Sequence, residues 1–161
     1  MAKAAHAVPA GLRTMTPQLA VDNAGRTIDW YKRAFGAEEL GRSLGPDGRV
    51  MHAEVRIGDS HFYVNDVMMG KGPKELGGSP VSFWLYVDDC DAFFKRAIDA
   101  GATEKMPLID QFWGDRAGSV ADPEGINWWI ATRKEDLTRQ EMDARAAEFF
   151  KQQMASQGAG G

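Results

Sequence analysis

Residues 85–103, which read LYVDDCDAFFKRAIDAGAT, repeat the pattern of residues 19–38, which read LAVDNAGRTIDWYKRAFGAE. In each stretch an apolar strand ends in Val-Asp, an amphipathic helix follows, and Gly-Ala ends the helix. Val21 aligns with Val87 and Gly36 with Gly101, at offsets of about 66 and about 65 residues. A repeat with this spacing indicates two copies of one supersecondary unit.

Three further strands are predicted after the helix of each unit. In the first unit, turn signals at 45–48 and 58–60 separate strands at 40–44, 50–57 and 61–65, after a first strand at 14–21. In the second unit the first strand is predicted at 81–87, the later strands at 103–106, 118–121 and 127–132, and an aromatic-rich loop at 108–116. The sequence therefore predicts an α+β fold built from two tandem βαβββ modules.

The rest of the chain divides around these modules. We predict a flexible arm at 1–13, modules at 14–66 and 81–133, a linker or flap at 67–80, a C-terminal helix at 134–156 and a tail at 157–161. Thr138 and Glu141 form a capping box for that helix. Its apolar stripe must pack on the body or on a second subunit, and two modules alone close only a partial barrel, so a homodimer is predicted.

Composition excludes several classes of partner. The 161 residues are 43% hydrophobic with a net charge of −4, and their lysines and arginines are scattered, which argues against nucleic acid. No apolar stretch has the length of a membrane span or a signal peptide, so no membrane partner is predicted. The single cysteine, Cys90, excludes an internal disulfide, and the cytoplasm is the default location.

The doubled unit, together with the motifs GPDGRVMHAEVRIGDS, DQFWGDRAGSVADPEG and WWIATRKEDL, resembles the vicinal oxygen chelate superfamily. Within it the chain looks most like the PhnB-like branch of glyoxalase and bleomycin-resistance-type proteins. The resemblance implies a curved sheet in each module, with its helix on the convex side and a ligand cleft on the concave side. This superfamily includes lyases, isomerases, dioxygenases, transferases and drug-binding proteins, so the resemblance does not identify a reaction.

The resemblance also implies four positions that bind a divalent ion in metal-dependent members. They fall at Thr16, Tyr63, Ser82 and Trp129. Hydroxyls and an indole do not replace the imidazole and carboxylate ligands that such ions need. We therefore predict no bound metal at these positions and no cofactor.

The alternation of side chains along a strand predicts which residues line the cleft. His52 and Glu54 are the candidate acid/base pair, because a histidine titrates near neutral pH and a glutamate orients its ring. An ion-paired wall that only shapes the pocket is the other interpretation of this pair. The aromatic members suit stacking on a flat or cationic ligand, although aromatic residues on a sheet also serve as core or dimer contacts. The residues predicted to bind ligand are Thr16, Gln18, His61, Tyr63, Ser82, Trp84, Tyr86, Trp113, Arg116 and Trp129.

Three functions are compatible with this pattern. The first is binding of a small organic molecule in an aromatic-lined concave cleft without turnover, as in bleomycin-resistance proteins. The second is a metal-assisted lyase, isomerase or dioxygenase that uses His52, Glu54 and His61. The third is a structural or partner-binding role of the terminal helix. The residues alone leave the ligand and the reaction open.

Overall fold

The computed structural model of the protein describes residues 6–158, with side chains described through residue 155. The predicted arm and tail therefore lie partly outside the described residues. In chain order the elements are β1 (Gln18–Val21), α1 (Ala24–Phe35), β2 (Glu38–Leu44), β3 (Val50–Ile57), β4 (Ser60–Asp66), β5 (Ser82–Tyr86), α2 (Cys90–Asp99), β6 (Thr103–Asp110), β7 (Asp115–Ala121), β8 (Asn127–Arg133) and α3 (Arg139–Gly158).

Each module forms its own four-stranded sheet. Sheet A has the order β1-β4-β3-β2 and sheet B the order β5-β8-β7-β6. The first and last strands of each module are parallel neighbours, and the remaining pairs are antiparallel. The registers correspond, since Gln18 lies opposite Tyr63 in sheet A and Trp84 lies opposite Trp129 in sheet B. The predicted α+β fold of two βαβββ modules with a C-terminal helix is confirmed.

The last strand of each module fixes the start of its helix. In the first module the Asp66 carboxylate accepts hydrogen bonds from the backbone N–H of Ala24 at 2.7 Å and of Val50 at 2.6 Å. In the second module the Thr132 hydroxyl accepts one from the Cys90 N–H at 2.9 Å. Helix N-termini leave backbone donors without intrahelical partners, so these contacts satisfy groups that burial would otherwise penalise.

The two modules share one hydrophobic core. Residues on one face of sheet A, such as Val55 and Val64, and residues on one face of sheet B, such as Val120 and Ile130, pack around α1 and α2 in a single cluster. The two helices also contact each other, because Phe35 of α1 stacks on Phe93 of α2 with ring centroids 5.7 Å apart. We call the sheet faces in this cluster the helix-covered faces and the opposite faces the outer faces.

This packing places the outer faces of the two sheets on opposite sides of the molecule. The Trp128 ring, on the helix-covered face of sheet B, lies 5.0 Å from the Phe35 ring and 5.4 Å from the Tyr31 ring. The Trp30 indole N–H donates to the Ala100 carbonyl at 2.8 Å. Both helix-covered faces are therefore turned toward each other. Each concave face, where the resemblance implies a ligand cleft, is turned away from the other sheet of the same chain.

A buried carboxylate reinforces the contact between modules. Asp122, 5% exposed, lies in the turn between β7 and β8 and accepts hydrogen bonds from the Tyr31 hydroxyl at 2.8 Å and the Trp128 indole N–H at 2.9 Å. The backbone N–H groups of Glu124 and Ile126 donate to its other oxygen, each at 2.9 Å. Burial raises the pKa of Asp122, although these four donors oppose that effect.

Several predicted boundaries differ from the structure. Strand β1 begins at Gln18 rather than residue 14, because Pro17 has no N–H to donate to a neighbouring strand. Strand β6 continues through Pro107 to Asp110, and β7 begins at Asp115, so the predicted loop at 108–116 is reduced to residues 111–114. An outermost strand of a sheet tolerates a proline, which is why β6 does not stop there.

The segments outside the sheets have local structure of their own. The linker contains turns closed by hydrogen bonds from the Leu76 N–H to the Gly72 carbonyl at 3.1 Å and from the Gly78 N–H to the Pro73 carbonyl at 2.7 Å. At the start of α3, the Thr138 N–H donates to the Glu141 carboxylate at 2.8 Å, as the capping box predicts. Among the described residues, no helix is both long and apolar enough to cross a membrane.

Candidate functional site

The outer face of sheet B carries a cluster of aromatic rings. Trp84 and Trp129 are directly opposite each other on β5 and β8, and their indoles stack with centroids 4.8 Å apart and planes at 3°. Tyr86 and Trp113 extend this stack, with ring centroids 6.1 and 6.4 Å from that of Trp84. Trp84 is 42% exposed and Tyr86 60% exposed. Four neighbouring rings, two of them exposed and Trp113 and Trp129 partly buried, form a surface on which a flat molecule can stack.

Asp115 lies within this aromatic cluster and is 2% exposed. Its Oδ2 accepts hydrogen bonds from the Tyr86 hydroxyl at 3.0 Å and from the Trp113 indole N–H at 3.1 Å. Burial raises the pKa of Tyr86, and the hydrogen bond to Asp115 raises it further. The sequence had placed Asp115 in a loop, whereas it is the first residue of β7 and shares a sheet face with Trp129.

Arg116 does not belong to this site, which corrects its predicted role in ligand binding. Successive strand residues point to opposite faces, so Arg116 lies on the face opposite to Asp115. Its guanidinium binds the Asp91 carboxylate of α2 at 2.7 and 2.8 Å and reaches Asp110 at 3.3 Å. The error came from treating 108–116 as a loop, in which the alternation of faces does not apply.

The outer face of sheet A is polar. The imidazole Nδ1 of His61 lies 2.8 Å from the Glu54 Oε1, and the His52 ring lies 4.5 Å from the Tyr63 ring. Gln18 donates from its amide to the Asn65 side-chain oxygen at 2.7 Å. Five predicted residues, Gln18, His52, Glu54, His61 and Tyr63, thus share one face. Within one chain, they approach the aromatic set of sheet B where His61 and Trp84 line the same cavity.

Two predicted ligand-binding residues remain, Ser82 and Thr16. Ser82 is opposite Asn127 on the outer face of sheet B, two residues from Trp84 and exposed. Thr16 precedes β1, and its hydroxyl donates to the Arg13 carbonyl at 3.2 Å. The arm also touches His61, because a Cβ on Gly11 would come within 2.8 Å of the imidazole. Gly11 has φ +83, a conformation that glycine adopts without strain.

The side chains at the four family metal positions do not fit a transition ion. The Trp129 indole is stacked on Trp84, and it offers no lone pair to a metal. The alternative set does not converge, because His61 faces Glu54 while the His52 ring lies on Tyr63. Among the described residues, no three His, Cys, Asp or Glu side chains cluster closely enough to hold a metal ion.

A cavity of about 290 Å³ lies where the two modules meet, at the edge of the shared core. Its walls combine the arm, through Arg13 and Met15, with the apolar side chains Phe62, Phe83 and Trp128. His61 and Trp84 reach it from the two sheets. Trp84 therefore belongs both to this cavity and to the stack with Trp129.

Sequence reasoning missed two apolar side chains of the sheet B outer face. Ile109 lies opposite Ala117 and Met106 opposite Ser119, on the same face as Trp129. Both are about half exposed, at 48% and 47%. The register shifts in β6 break the alternation that would have identified them from sequence.

Comparison with protein families and curated proteins gives a consistent result. The family described as the Glyoxalase/Bleomycin resistance protein/Dioxygenase superfamily matches residues 5–130. The uncharacterized protein Rv0887c of Mycobacterium tuberculosis is 43% identical over 152 residues, which cover 91% of this chain and 85% of that protein. The uncharacterized protein At5g48480 of Arabidopsis thaliana is 33% identical over 123 residues, 71% of this chain and 74% of that protein.

Solved structures share the fold. TioX from Micromonospora sp. ML1 superposes with a TM-score of 0.59 at 28% identity, covering 78% of this chain and 100% of that chain. The At5g48480 structure gives a TM-score of 0.61 at 33% identity, covering 74% and 98%. TnmS3, an antibiotic binding protein from Streptomyces sp. CB03234, gives 0.59 at 20% identity, covering 80% and 99%, which is a likeness of fold alone.

Proposed function

The chain belongs to the Glyoxalase/Bleomycin resistance protein/Dioxygenase superfamily, and from that premise we propose that it binds a small, flat organic molecule on the aromatic face of sheet B. The observation that carries the proposal is the parallel Trp84–Trp129 stack beside an exposed Tyr86. When a planar ligand covers exposed aromatic rings, apolar surface is removed from water, which is favourable, and the stacked rings gain dispersion energy. In this proposal the protein holds its ligand and does not transform it.

The proposal includes a second copy of the chain. The outer faces of sheets A and B point away from each other, so neither sheet covers the other's outer face within one chain. A two-fold partner would set its polar sheet A opposite the aromatic sheet B of the first chain, and the same contact would occur twice. Each cleft then has one aromatic wall and one polar wall, which is the usual composition of a small-molecule site. A cytoplasmic location stays a prediction from the sequence.

Titration with acridine, a flat uncharged aromatic molecule in mildly basic buffer, tests the binding function. Quenching of tryptophan fluorescence and isothermal calorimetry are expected to report saturable binding to the wild-type protein. Trp129→Ala is expected to weaken binding about tenfold, because it removes one ring of the stack. Phe150→Ala is the matched control, since Phe150 is an exposed aromatic residue of α3. Absence of saturable binding, or equal loss in both variants, would contradict the proposal.

A second function is favoured by one observation, the 2.8 Å contact between His61 Nδ1 and Glu54 Oε1. A carboxylate on one ring nitrogen orients the imidazole, so that its other nitrogen can transfer a proton to a bound molecule. Such an enzyme would change its ligand rather than release it intact. Incubation with lysate metabolites, followed by mass spectrometry, should show a consumed compound with wild-type protein but not with His61→Gln if this alternative holds.

A further inference from the structure

Two buried oxygen atoms on the outer face of sheet B have no hydrogen-bond partner. Among the described residues, the buried side-chain polar atoms without a partner are Asp115 Oδ1 and Asn127 Oδ1. Both residues lie on the same face as Trp129, because Asn127 is opposite Ala121, Trp129 is opposite Ser119 and Asp115 begins the same strand. Both atoms are hydrogen-bond acceptors, so a ligand that carries hydrogen-bond donors would satisfy them.

Asp115 is the stronger of the two features because it is an acidic side chain in an apolar setting. Its two donors, Tyr86 and Trp113, both address Oδ2 and leave Oδ1 unsatisfied. A buried carboxylate oxygen without a partner costs free energy unless a donor or a positive charge arrives. Both neighbours that donate to it are members of the aromatic cluster, so the carboxylate lies beside the surface on which a flat ligand would stack.

The basic residue opposite Asp115 on this face is already engaged. Arg133 is directly opposite Asp115 in the β7–β8 register. Its guanidinium Nε instead donates to the Asp136 carboxylate at 2.8 Å. Within the part of the chain that the structure describes, the Asp115 carboxylate thus lies in an aromatic cluster without an ion-pair partner, an arrangement that favours cations over neutral and anionic molecules.

We propose that Asp115 selects for ligands that carry a positive charge, so that the cleft takes planar aromatic cations with a nitrogen donor. The aromatic rings hold the flat body of the ligand, and Asp115 Oδ1 accepts a hydrogen bond from its protonated nitrogen. Asn127, beyond Trp129 on β8, supplies a second acceptor at the other end of the stack. This inference rests on the proposed binding function and adds the charge of the ligand to it.

Three acridines of one shape and different charge test the inference. In mildly basic buffer, 9-aminoacridine is a cation, acridine is neutral and acridine-9-carboxylate is an anion. For wild-type protein, affinity is expected to fall in that order. The cation should bind at least about tenfold more tightly than acridine. Raising the salt concentration is expected to reduce this preference.

The variant Asp115→Asn keeps the shape of the side chain and one acceptor while it removes the charge. Its preference for 9-aminoacridine over acridine is expected to collapse to about twofold or less. The matched control is Asp91→Asn, which removes the same charge from the same module on the helix-covered side and should keep the wild-type preference. Thermal unfolding of both variants checks that they are folded.

The outcomes separate the two proposals. If none of the acridines binds, the binding function itself fails. If all three bind alike, or if folded Asp115→Asn keeps the cation preference, the binding function stands and the role of Asp115 is overturned. If Asp115→Asn does not fold, the affinities of the wild-type protein decide. Tightest binding of the cation, with a preference that weakens as salt is added, supports the role of Asp115 in selecting cations. Any other order of affinities rejects that role.

Discussion

The Tyr31 hydroxyl in α1 donates a 2.8 Å hydrogen bond to the Asp122 carboxylate in the turn before β8, and both side chains are buried. The contact joins the first module to the second. It lies on the helix-covered side of both sheets, beside Trp128, and so belongs to the packing that turns the outer faces away from each other. The position of the proposed site therefore depends on a contact that no ligand would touch.

Tyr31→Phe is expected to lower the free energy of unfolding by about 1–2 kcal/mol, because it removes one donor from a buried carboxylate. Trp128 and two backbone groups still donate to Asp122, so the variant should fold. Denaturant unfolding followed by circular dichroism measures the change. Tyr63→Phe is the matched control, because Tyr63 is only half-buried and no hydrogen bond to its hydroxyl is found within the described part of the chain. A smaller loss for Tyr31→Phe than for Tyr63→Phe would contradict this role.

Asp122 also predicts a pH dependence of stability. Because burial raises its pKa in the folded state, the folded protein holds this proton more tightly than the unfolded chain does. Its contribution is fully present below the ordinary aspartate pKa, and it is lost as pH rises through the raised folded value. The difference in free energy of unfolding between wild type and Asp122→Asn should therefore decrease as pH rises across that window.

Denaturant unfolding of both proteins at several pH values measures that difference. Wild type must be compared with Asp122→Asn because other carboxylates change the pH dependence of stability in the opposite direction. Glu39 has its pKa lowered, chiefly by its hydrogen bond with Arg42, and thus stabilises the fold as pH rises. A difference between wild type and variant that is constant with pH, or that grows as pH rises, would show that Asp122 does not titrate as proposed.

The terminal helix is expected to be dispensable for the body of the protein. It contacts the body through Phe112, whose ring lies 4.9 Å from that of Phe149, and through an Arg145–Glu135 ion pair at 2.6 Å. Removal of residues 138–161 should shift the midpoint of thermal unfolding by only a few degrees, because few buried apolar contacts are lost. Sedimentation analysis should still find the dimer, since the proposed interface uses the sheet faces.

If the truncated chain is monomeric, the terminal helix carries assembly, and the structural role considered from the sequence gains support. Phe149→Ser with Phe150→Ser in the full chain is the companion variant. It removes the two rings while keeping the length of the chain, and it should behave like the truncation if the helix acts through these contacts.

Local patterns in the sequence were sufficient to predict the modules. Val-Asp before each helix and Gly-Ala after it identify two βαβββ units, because these sequence signals depend only on neighbouring residues. The alternation along β5 and β8 correctly places Trp84, Tyr86 and Trp129 on one face, since those strands are regular. Arg116 is misplaced because its aromatic-rich segment, 108–116, predicts a loop, whereas β6 continues to Asp110 and β7 begins at Asp115.

The relation between the modules lies beyond such patterns. Apolar spacing shows that Phe35 and Phe93 face inward on their helices, but it does not say that they pack against each other. Likewise, the sequence indicates only that Asp122 is a turn residue. Its burial depends on the packing of Tyr31 against it. Contacts between distant parts of a chain depend on packing geometry, which residue periodicity does not encode.

If each ligand cleft combines sheet A of one chain with sheet B of another, a mixed dimer of two variants will retain one intact cleft. A Tyr63→Ala chain and a Trp129→Ala chain, carrying different affinity tags, are co-expressed and purified through both tags. Each variant homodimer should bind acridine at least about tenfold more weakly than wild type. In the mixed dimer one cleft would be intact and the other doubly altered, so we expect half the wild-type number of sites, with wild-type affinity. Mixed dimers that bind as weakly as the two homodimers, or chains that form no dimer, would contradict it.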